Sequence, residues 1–191
     1  MEKQYFTSNY NEIVANSIYP LGNTIYQFKN SENIDISLEN LIQKYQVSSI
    51  IDYGSGEGKA TEHLTIPVFN YDPFVEQFKT YPETSADMVI CYNSLNWIED
   101  QYFNLMVDDL YQLTNKVLIC NIRIPGFYRR NLDYYVQKLT RKFKFVDDGE
   151  VKKAIIKDLK WQEYLSKNLN PPFQTPNFKS SYSVFLELIK V

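Results

Sequence analysis

The chain has little of what several protein classes depend on. It holds one histidine, His63, and two cysteines, Cys91 and Cys120, in 191 residues. The cysteines form no Cys-x-x-Cys pair, and each stands inside an apolar, strand-like run. Zinc sites draw on several Cys and His ligands, so a structural zinc site is excluded and no metal is expected. The cysteines read as buried thiols of a reducing compartment, not as a disulfide framework. No run approaches the roughly 18–20 apolar residues of a membrane span, and Met1-Glu2-Lys3-Gln4-Tyr5 lacks the apolar core of a signal peptide. The expectation is a cytoplasmic protein. A net charge of −3 argues against tight binding along a broad nucleic-acid surface. The length suits one domain, residues 1–191, and is short for two.

Glycine is also scarce, with six in all, and its placement is therefore informative. Three of the six, Gly54, Gly56 and Gly58, fall at alternate positions in Ile50-Ile51-Asp52-Tyr53-Gly54-Ser55-Gly56-Glu57-Gly58. An apolar β-branched run ends in an acid, the glycines follow, and a polar segment comes after. Such a strand–turn–helix start is expected to present free N–H groups, with glycine admitting positive φ and close approach of a ligand. A phosphate-binding loop needs G-x-x-x-x-G-K-[ST]. Here Tyr53 replaces the first glycine and Ala60 the hydroxyl. A dinucleotide fingerprint needs G-x-G-x-x-G/A; Lys59 stands where its third glycine belongs, which counts against a nicotinamide-dependent oxidoreductase.

The third reading fits best. Asp52-Tyr53-Gly54-Ser55-Gly56-Glu57-Gly58 after a strand resembles the first motif of class I S-adenosylmethionine-dependent methyltransferases. The resemblance extends in order through Tyr71-Asp72-Pro73, Ala86 to Cys91 and Lys116 to Ile119, over about residues 47–124. The chain is most similar to small methyltransferase-domain proteins of phage and bacterial genomes, and its lean towards Asn, Lys, Ile and Tyr suits an AT-rich genome. The resemblance implies S-adenosylmethionine as cofactor and a Rossmann-like fold. That fold is an α/β, doubly wound, mostly parallel sheet with a C-terminal antiparallel strand. It also implies that Gly54, Ser55, Gly56 and Gly58, with Tyr53, cradle the cofactor. Asp52 would hold the turn and the methionine amino group, and Asn93 would reach the methionine or the acceptor. Asp72, an acid ending the second strand about 20 residues beyond the first motif, would bind ribose hydroxyls.

Along the chain, residues 1 to about 36 form a polar, aromatic cap in which Tyr5, Tyr10, Tyr19 and Tyr26 are stacking candidates. Leu38, Leu41, Ile42 and Tyr45 follow helical spacing. Strand one is expected over Val47–Asp52, a short helix over Lys59–Leu64, and strand two over Val68–Asp72. The stretch from Asp72 to Ala86 is too short for a crossover helix and a further strand. The usual third strand is therefore expected to be lost or reduced, and Glu83, Thr84 or Ser85 would stand in for its adenine-contacting acid. A strand over Asp87–Tyr92, a helix over Gln101–Leu113 and a strand over Lys116–Ile124 follow.

Where the resembled group carries an Asp-x-Leu-Glu-His-like stretch after the fourth strand, this chain reads Asn93-Ser94-Leu95-Asn96-Trp97. The acid and the histidine are both replaced. Methyl transfer depends mainly on proximity, alignment and exclusion of water, so activity does not require them. Asn93, Asn96 and Glu99 are candidates for orienting a substrate and Trp97 for stacking on it. Between Arg123 and Lys144 seven basic residues face the single Asp133. Two readings stand: Arg123, Arg129 and Arg130 holding a phosphate-bearing acceptor, or the solvated face of a helix over about 130–142. Asn170-Pro171-Pro172-Phe173 resembles the catalytic tetrapeptide of amino-methyltransferases but reads better as a helix stop. Strands over Val151–Ile156 and Ser183–Ile189 close the sheet, with a helix over Leu159–Leu169 between them. The function expected is methyl transfer to a small molecule, nucleotide or nucleic acid. The alternative is a non-catalytic protein that acts through a partner.

Overall fold

The computed structural model describes residues 38–124, 130–146, 152–155 and 182–191. The cap residues Tyr5 to Tyr26, Arg129, the helix expected over Leu159–Leu169 and the tetrapeptide Asn170–Phe173 lie outside the described residues. So does the Arg123 side chain.

Helix α1, Leu38–Tyr45, buries Leu38 and Leu41. It ends at Gln46, whose φ of 50° takes the left-handed form more usual for glycine. The turn is closed by Val47 N–H on the Ile42 carbonyl at 2.9 Å and pinned by Lys116 Nζ on the Gln46 carbonyl at 2.7 Å. Strand β1, Ile50–Tyr53, is shorter than the run of apolar residues suggests. Ser48 leaves the ladder because its N–H and hydroxyl both bond Asp87 Oδ2, at 2.9 and 2.7 Å.

Strand β2, Val68–Tyr71, pairs in parallel with β1, Asp52 facing Asn70. Only a single 3-10 turn, Glu76–Phe78, separates it from β3, Ala86–Tyr92, which pairs on the other side of β1. The third strand of the resembled family is thus absent between β2 and β3, as the short spacing predicts, and among the described residues β2 is the terminal strand of the sheet.

After β3 comes a 3-10 turn, Ser94–Trp97, and then helix α2, Asp100–Leu113. Phe103, Met106, Val107, Leu110 and Leu113 bury one face of α2 on the sheet. Thr114, bonded through its hydroxyl to the Leu110 carbonyl at 2.6 Å, turns the chain into β4, Thr114–Ile124. Helix α3, Leu132–Leu139, is capped by Asn131, whose side chain accepts from Tyr134 N–H. Strands β5 (Phe143–Phe145), β6 (Lys152–Ile155) and β7 (Tyr182–Lys190) complete a seven-stranded sheet. Its order is β2-β1-β3-β4-β7-β5, with β6 also on β7. Strands β1 to β4 are parallel, and β7 is antiparallel to β4, β5 and β6. Among the described residues no helix is long and apolar enough to cross a membrane.

Residues alternate between two buried layers. Ile51, Tyr53, Val89, Cys91, Leu118 and Cys120 face α2 and α3, while Ile50, Met88, Ile90, Val117 and Ile119 face α1. Cys91 and Cys120 are register partners on neighbouring strands, free and fully buried, and burial pushes the Cys91 thiol up to about 12.

The basic stretch resolves into structure. Arg130 is 6% exposed, with Nη2 on the Ile98 carbonyl at 2.6 Å and Nε on Asp100 Oδ1 at 2.9 Å. Its guanidinium lies over Phe103 and Tyr134, 5.2 and 4.9 Å from the ring centroids. Lys138 and Arg141 reach Asn104, and Lys142 pairs with Asp108. These side chains stitch α3 to α2. The phosphate-holding role expected of Arg130 is therefore corrected: a buried, paired guanidinium packed between rings is structural. Replacing Arg130 by Ala should cost about 2–4 kcal/mol, since the Ile98 carbonyl loses its donor and a void opens beside Phe103. Lys should rescue little of it, because an ammonium lacks the planar fork. Urea denaturation reads this; a loss under about 1 kcal/mol would count against the packing role.

Candidate functional site

The site begins with what holds the glycine turn. Gly54, Gly56 and Gly58 all take positive φ, at 79°, 54° and 74°. At Gly54 the space is filled as well: an added Cβ would sit 2.7 Å from Ser94 Cβ. Ser94 Oγ lies 3.4, 3.3 and 3.2 Å from the carbonyls of Tyr53, Gly54 and Tyr92, so it bridges the ends of β1 and β3.

The turn is sewn to the end of β2. Gly54 N–H and Ser55 N–H both donate to the Tyr71 carbonyl, at 2.7 and 3.1 Å. Gly56 N–H donates to Asp72 Oδ2 at 2.9 Å, and Gly58 N–H to the Ser55 carbonyl at 2.9 Å. The cradle of free N–H groups expected from the sequence is thus not formed by these four residues. Their amides are used inside the protein. This counts further against the phosphate-loop and dinucleotide readings, which need those amides for phosphate oxygens.

The short helix expected over Lys59–Leu64 is also absent. Turns replace it, with Thr61 N–H on the Gly58 carbonyl and Leu64 N–H on that of Thr61. These are three-residue closures, and Ile66-Pro67 follows too soon for a regular helix to extend.

Two buried carboxyls flank the turn, Asp52 at 2% and Asp72 at 5% exposure. Asp72 spends one oxygen on Gly56 and the other on Phe74 N–H at 3.0 Å. Asp52 touches the Thr61 hydroxyl at 3.3 Å, and that hydroxyl is also within 3.4 Å of the Gly58 carbonyl and 3.3 Å of Asn70 Oδ1. Burial raises the Asp52 carboxyl to about 7 and the nearby Asp72 charge adds to it, against the lowering effect of Thr61. The Thr61 hydroxyl donates to Asp52 Oδ2, which favours the ionised carboxyl and offsets part of the burial effect.

The other residues singled out by sequence separate in space. Tyr53 turns its ring into the core, 4.9 Å edge-on from Tyr71, so only its backbone faces the turn. Asn96 is buried, with its amide on the Tyr135 hydroxyl at 3.2 Å. Trp97 packs partly buried on the core. Glu99 stands at the N-cap of α2 and accepts from Gln101 Nε2. Glu83, Thr84 and Ser85 are exposed in the β2–β3 connection.

Asn93 is different. It takes a left-handed φ of 60° immediately after β3, a conformation that Asn tolerates better than most residues, and its N–H donates to the Asn121 carbonyl at 2.8 Å. Asn121, on β4, is the residue that sequence reasoning missed. It is 1% exposed, and among the described residues its Oδ1 and that of Asn93 are buried without a hydrogen-bond partner. A lone amide in the apolar run Lys116–Ile124 was the available signal.

No family model matches the chain, and no curated protein matches it. Solved structures do. Magnesium protoporphyrin IX methyltransferase (ChlM) from Synechocystis PCC 6803, with bound S-adenosylmethionine, superposes with a TM-score of 0.60 over 99% of this chain and 100% of that one, at 12% identity. The 1,6-didemethyltoxoflavin-N1-methyltransferase of Burkholderia thailandensis, with bound 1,6-didemethyltoxoflavin and S-adenosylhomocysteine, gives 0.60 over 99% and 92%, at 9% identity. The cyclase SpnF gives 0.54 over 83% and 84%, at 9% identity. At such identities the likeness establishes the fold: this chain has the Rossmann-like fold of class I methyltransferases.

Proposed function

We propose that the chain binds S-adenosylmethionine at the C-terminal ends of β1 and β3 and supports transfer of its methyl group to a small-molecule acceptor. The observation that carries this is the glycine turn with its amides spent internally, flanked by two buried carboxyls. Such a turn suits a ligand that approaches the backbone closely and brings positive charge, where a phosphate ligand would need the amides. Asp52 would hold the cofactor's ammonium; Asp72, whose oxygens each keep a second lone pair beyond the Gly56 and Phe74 N–H groups, would accept from its ribose; and Gly54, Ser55, Gly56 and Gly58 would shape the wall against it. When bound, the cofactor supplies an electrophilic methyl group. The protein's residues supply position and exclusion of water. Asn96 and Glu99 are engaged elsewhere, so the reading favours an acceptor that needs no strong base. Two of the structural neighbours carry names of small-molecule methyltransferases, which supports an acceptor of that size.

Calorimetric titration with S-adenosylmethionine and S-adenosylhomocysteine tests the reading. Binding in roughly the micromolar range is expected, about 8 kcal/mol. Gly56→Arg, which puts a long side chain into the positive-φ turn, should abolish it. A folded wild-type protein that binds neither compound would end the proposal.

A further inference from the structure

From the unsatisfied carboxamide oxygens of Asn93, just past β3, and of Asn121, level with the end of β3 on β4, we infer that Asn121, with Asn93 beside it, receives an N–H group of the methyl acceptor, so that the acceptor is a neutral amine. The inference rests on the cofactor reading above and narrows the class of its substrate.

Strand alternation places Asn121 in the layer of Val117 and Ile119, and Asp52 in that of Ile50, so the two share one face of the sheet. Along that layer Asn121 has Tyr92 as its register partner on β3 and Phe185 on β7. Tyr92 and Phe185 meet edge to face, 6.0 Å between centroids. Asn121 is thus an amide set between two rings in an otherwise apolar strand. A buried carboxamide oxygen with no partner is costly, and stable cores seldom retain one without a use. Its neighbour Asn93 repeats the pattern one residue beyond β3, joined to Asn121 through the backbone and set next to Ser94, which packs on Gly54. Both unsatisfied atoms therefore lie at the end of the sheet where the glycine turn stands.

The chemistry of the pair selects its ligand. Two neutral acceptor oxygens repel carboxylate and phosphate and welcome N–H or O–H donors, and of these a hydroxyl would need a base to react whereas a neutral amine would not. They carry no charge, so they do not require a cation. An amide oxygen that takes an N–H leaves the nitrogen lone pair free for reaction. In the transfer that lone pair forms the N–C bond, the C–S bond breaks with its electrons passing to sulfur, and the N–H proton leaves to solvent. A nitrogen so held needs alignment more than a strong base, which matches a site whose Asn96 and Glu99 are occupied.

The test compares two cofactor analogues and needs no known acceptor. S-adenosylhomocysteine lacks the transferred methyl; sinefungin places an amino group where the methyl would be, directed at the acceptor side. Wild-type protein should bind sinefungin about tenfold more tightly than S-adenosylhomocysteine, the worth of one good hydrogen bond. Asn121→Leu keeps the volume and removes the amide. It should bring the two affinities together, leave S-adenosylhomocysteine within about threefold of wild type, and not lower the urea midpoint, since a costly buried oxygen is gone. An unchanged preference for sinefungin would overturn the inference. So would equal loss of both analogues, or a clear drop in midpoint, which would make Asn121 structural. Wild-type protein that binds neither analogue would instead overturn the cofactor reading, and this inference with it.

Discussion

Gly54→Ala should destabilise the protein by about 3 kcal/mol or more and abolish binding of S-adenosylhomocysteine. Two costs add. A φ of +79° costs an L-residue about 1–2 kcal/mol. The new methyl would also sit 2.7 Å from Ser94 Cβ, far inside contact distance. Ser94 cannot simply retreat, because its hydroxyl is held among the Tyr53, Gly54 and Tyr92 carbonyls. The strain therefore spreads into the junction of β1 and β3. Gly58→Ala provides the control: φ is similar at +74°, but the new methyl meets only the end of the Asn70 side chain at 3.0 Å. It should cost about 1–2 kcal/mol, the backbone part alone. Adding Ser94→Gly to Gly54→Ala should recover the contact cost and leave the backbone cost. Urea midpoints for wild type and the three variants settle it; equal losses at Gly54 and Gly58 would show that Ser94 contributes nothing.

Asp52→Asn should change how stability depends on pH. The carboxyl titrates near 3.8 when unfolded and about 7 when folded. Between those values the native state holds a proton that the unfolded chain has lost, so stability falls as pH rises through this window. Below the unfolded value the contribution is fully present, and above pH 7 it is gone. Each pH unit of the window is worth about 1.4 kcal/mol, and relaxation of the site should leave roughly 2–4 kcal/mol over the whole. The Asn variant lacks this slope. Its urea midpoint should equal that of wild type near pH 4 and exceed it at pH 8. Parallel curves for the two proteins across the range would refute the burial argument. Under the cofactor reading, an ammonium near Asp52 favours the ionised carboxyl, so binding at pH 6 should release a proton from wild type and none from Asp52→Asn. Calorimetry in two buffers of different ionisation heat reads that directly.

The strands were legible because they are short apolar runs closed by turn residues. The strands expected over Val47–Asp52, Val68–Asp72 and Asp87–Tyr92 overlap β1, β2 and β3 and needed no tertiary information. The missing strand after β2 was equally plain, since Asp72 and Ala86 leave no room for a crossover. Other features depend on partners remote in sequence. Strand β1 starts late because Asp87 captures Ser48, and β5 exists because Phe143–Phe145 find the end of β7. Arg130 reads as a surface charge until α2 brings Asp100, Ile98 and Phe103 around it. Asn121 looks like one polar residue in a strand, and only burial shows that its oxygen has been left without a partner. The glycine motif sits between these cases. Its positive φ values follow from the residue type, whereas the use of its amides by Tyr71 and Asp72 depends on β2 lying alongside.

The position of β7 has a consequence for how the chain reaches this state. Three strands hydrogen-bond to it, and it stands between β4 and β5 although Ile124 pairs with Tyr182 across a long stretch of intervening sequence. The parallel half, β1 to β4, can form from contacts closer in sequence. Until residues 182–190 have left the ribosome, however, β4 is an open edge eleven residues long, apolar on both faces from Val117 to Cys120. Closing so long a loop is slow, and an unpaired apolar strand is a template for other chains in the meantime. Synthesis rate and chaperone access over the last strand should therefore govern yield more strongly than changes in the cofactor half.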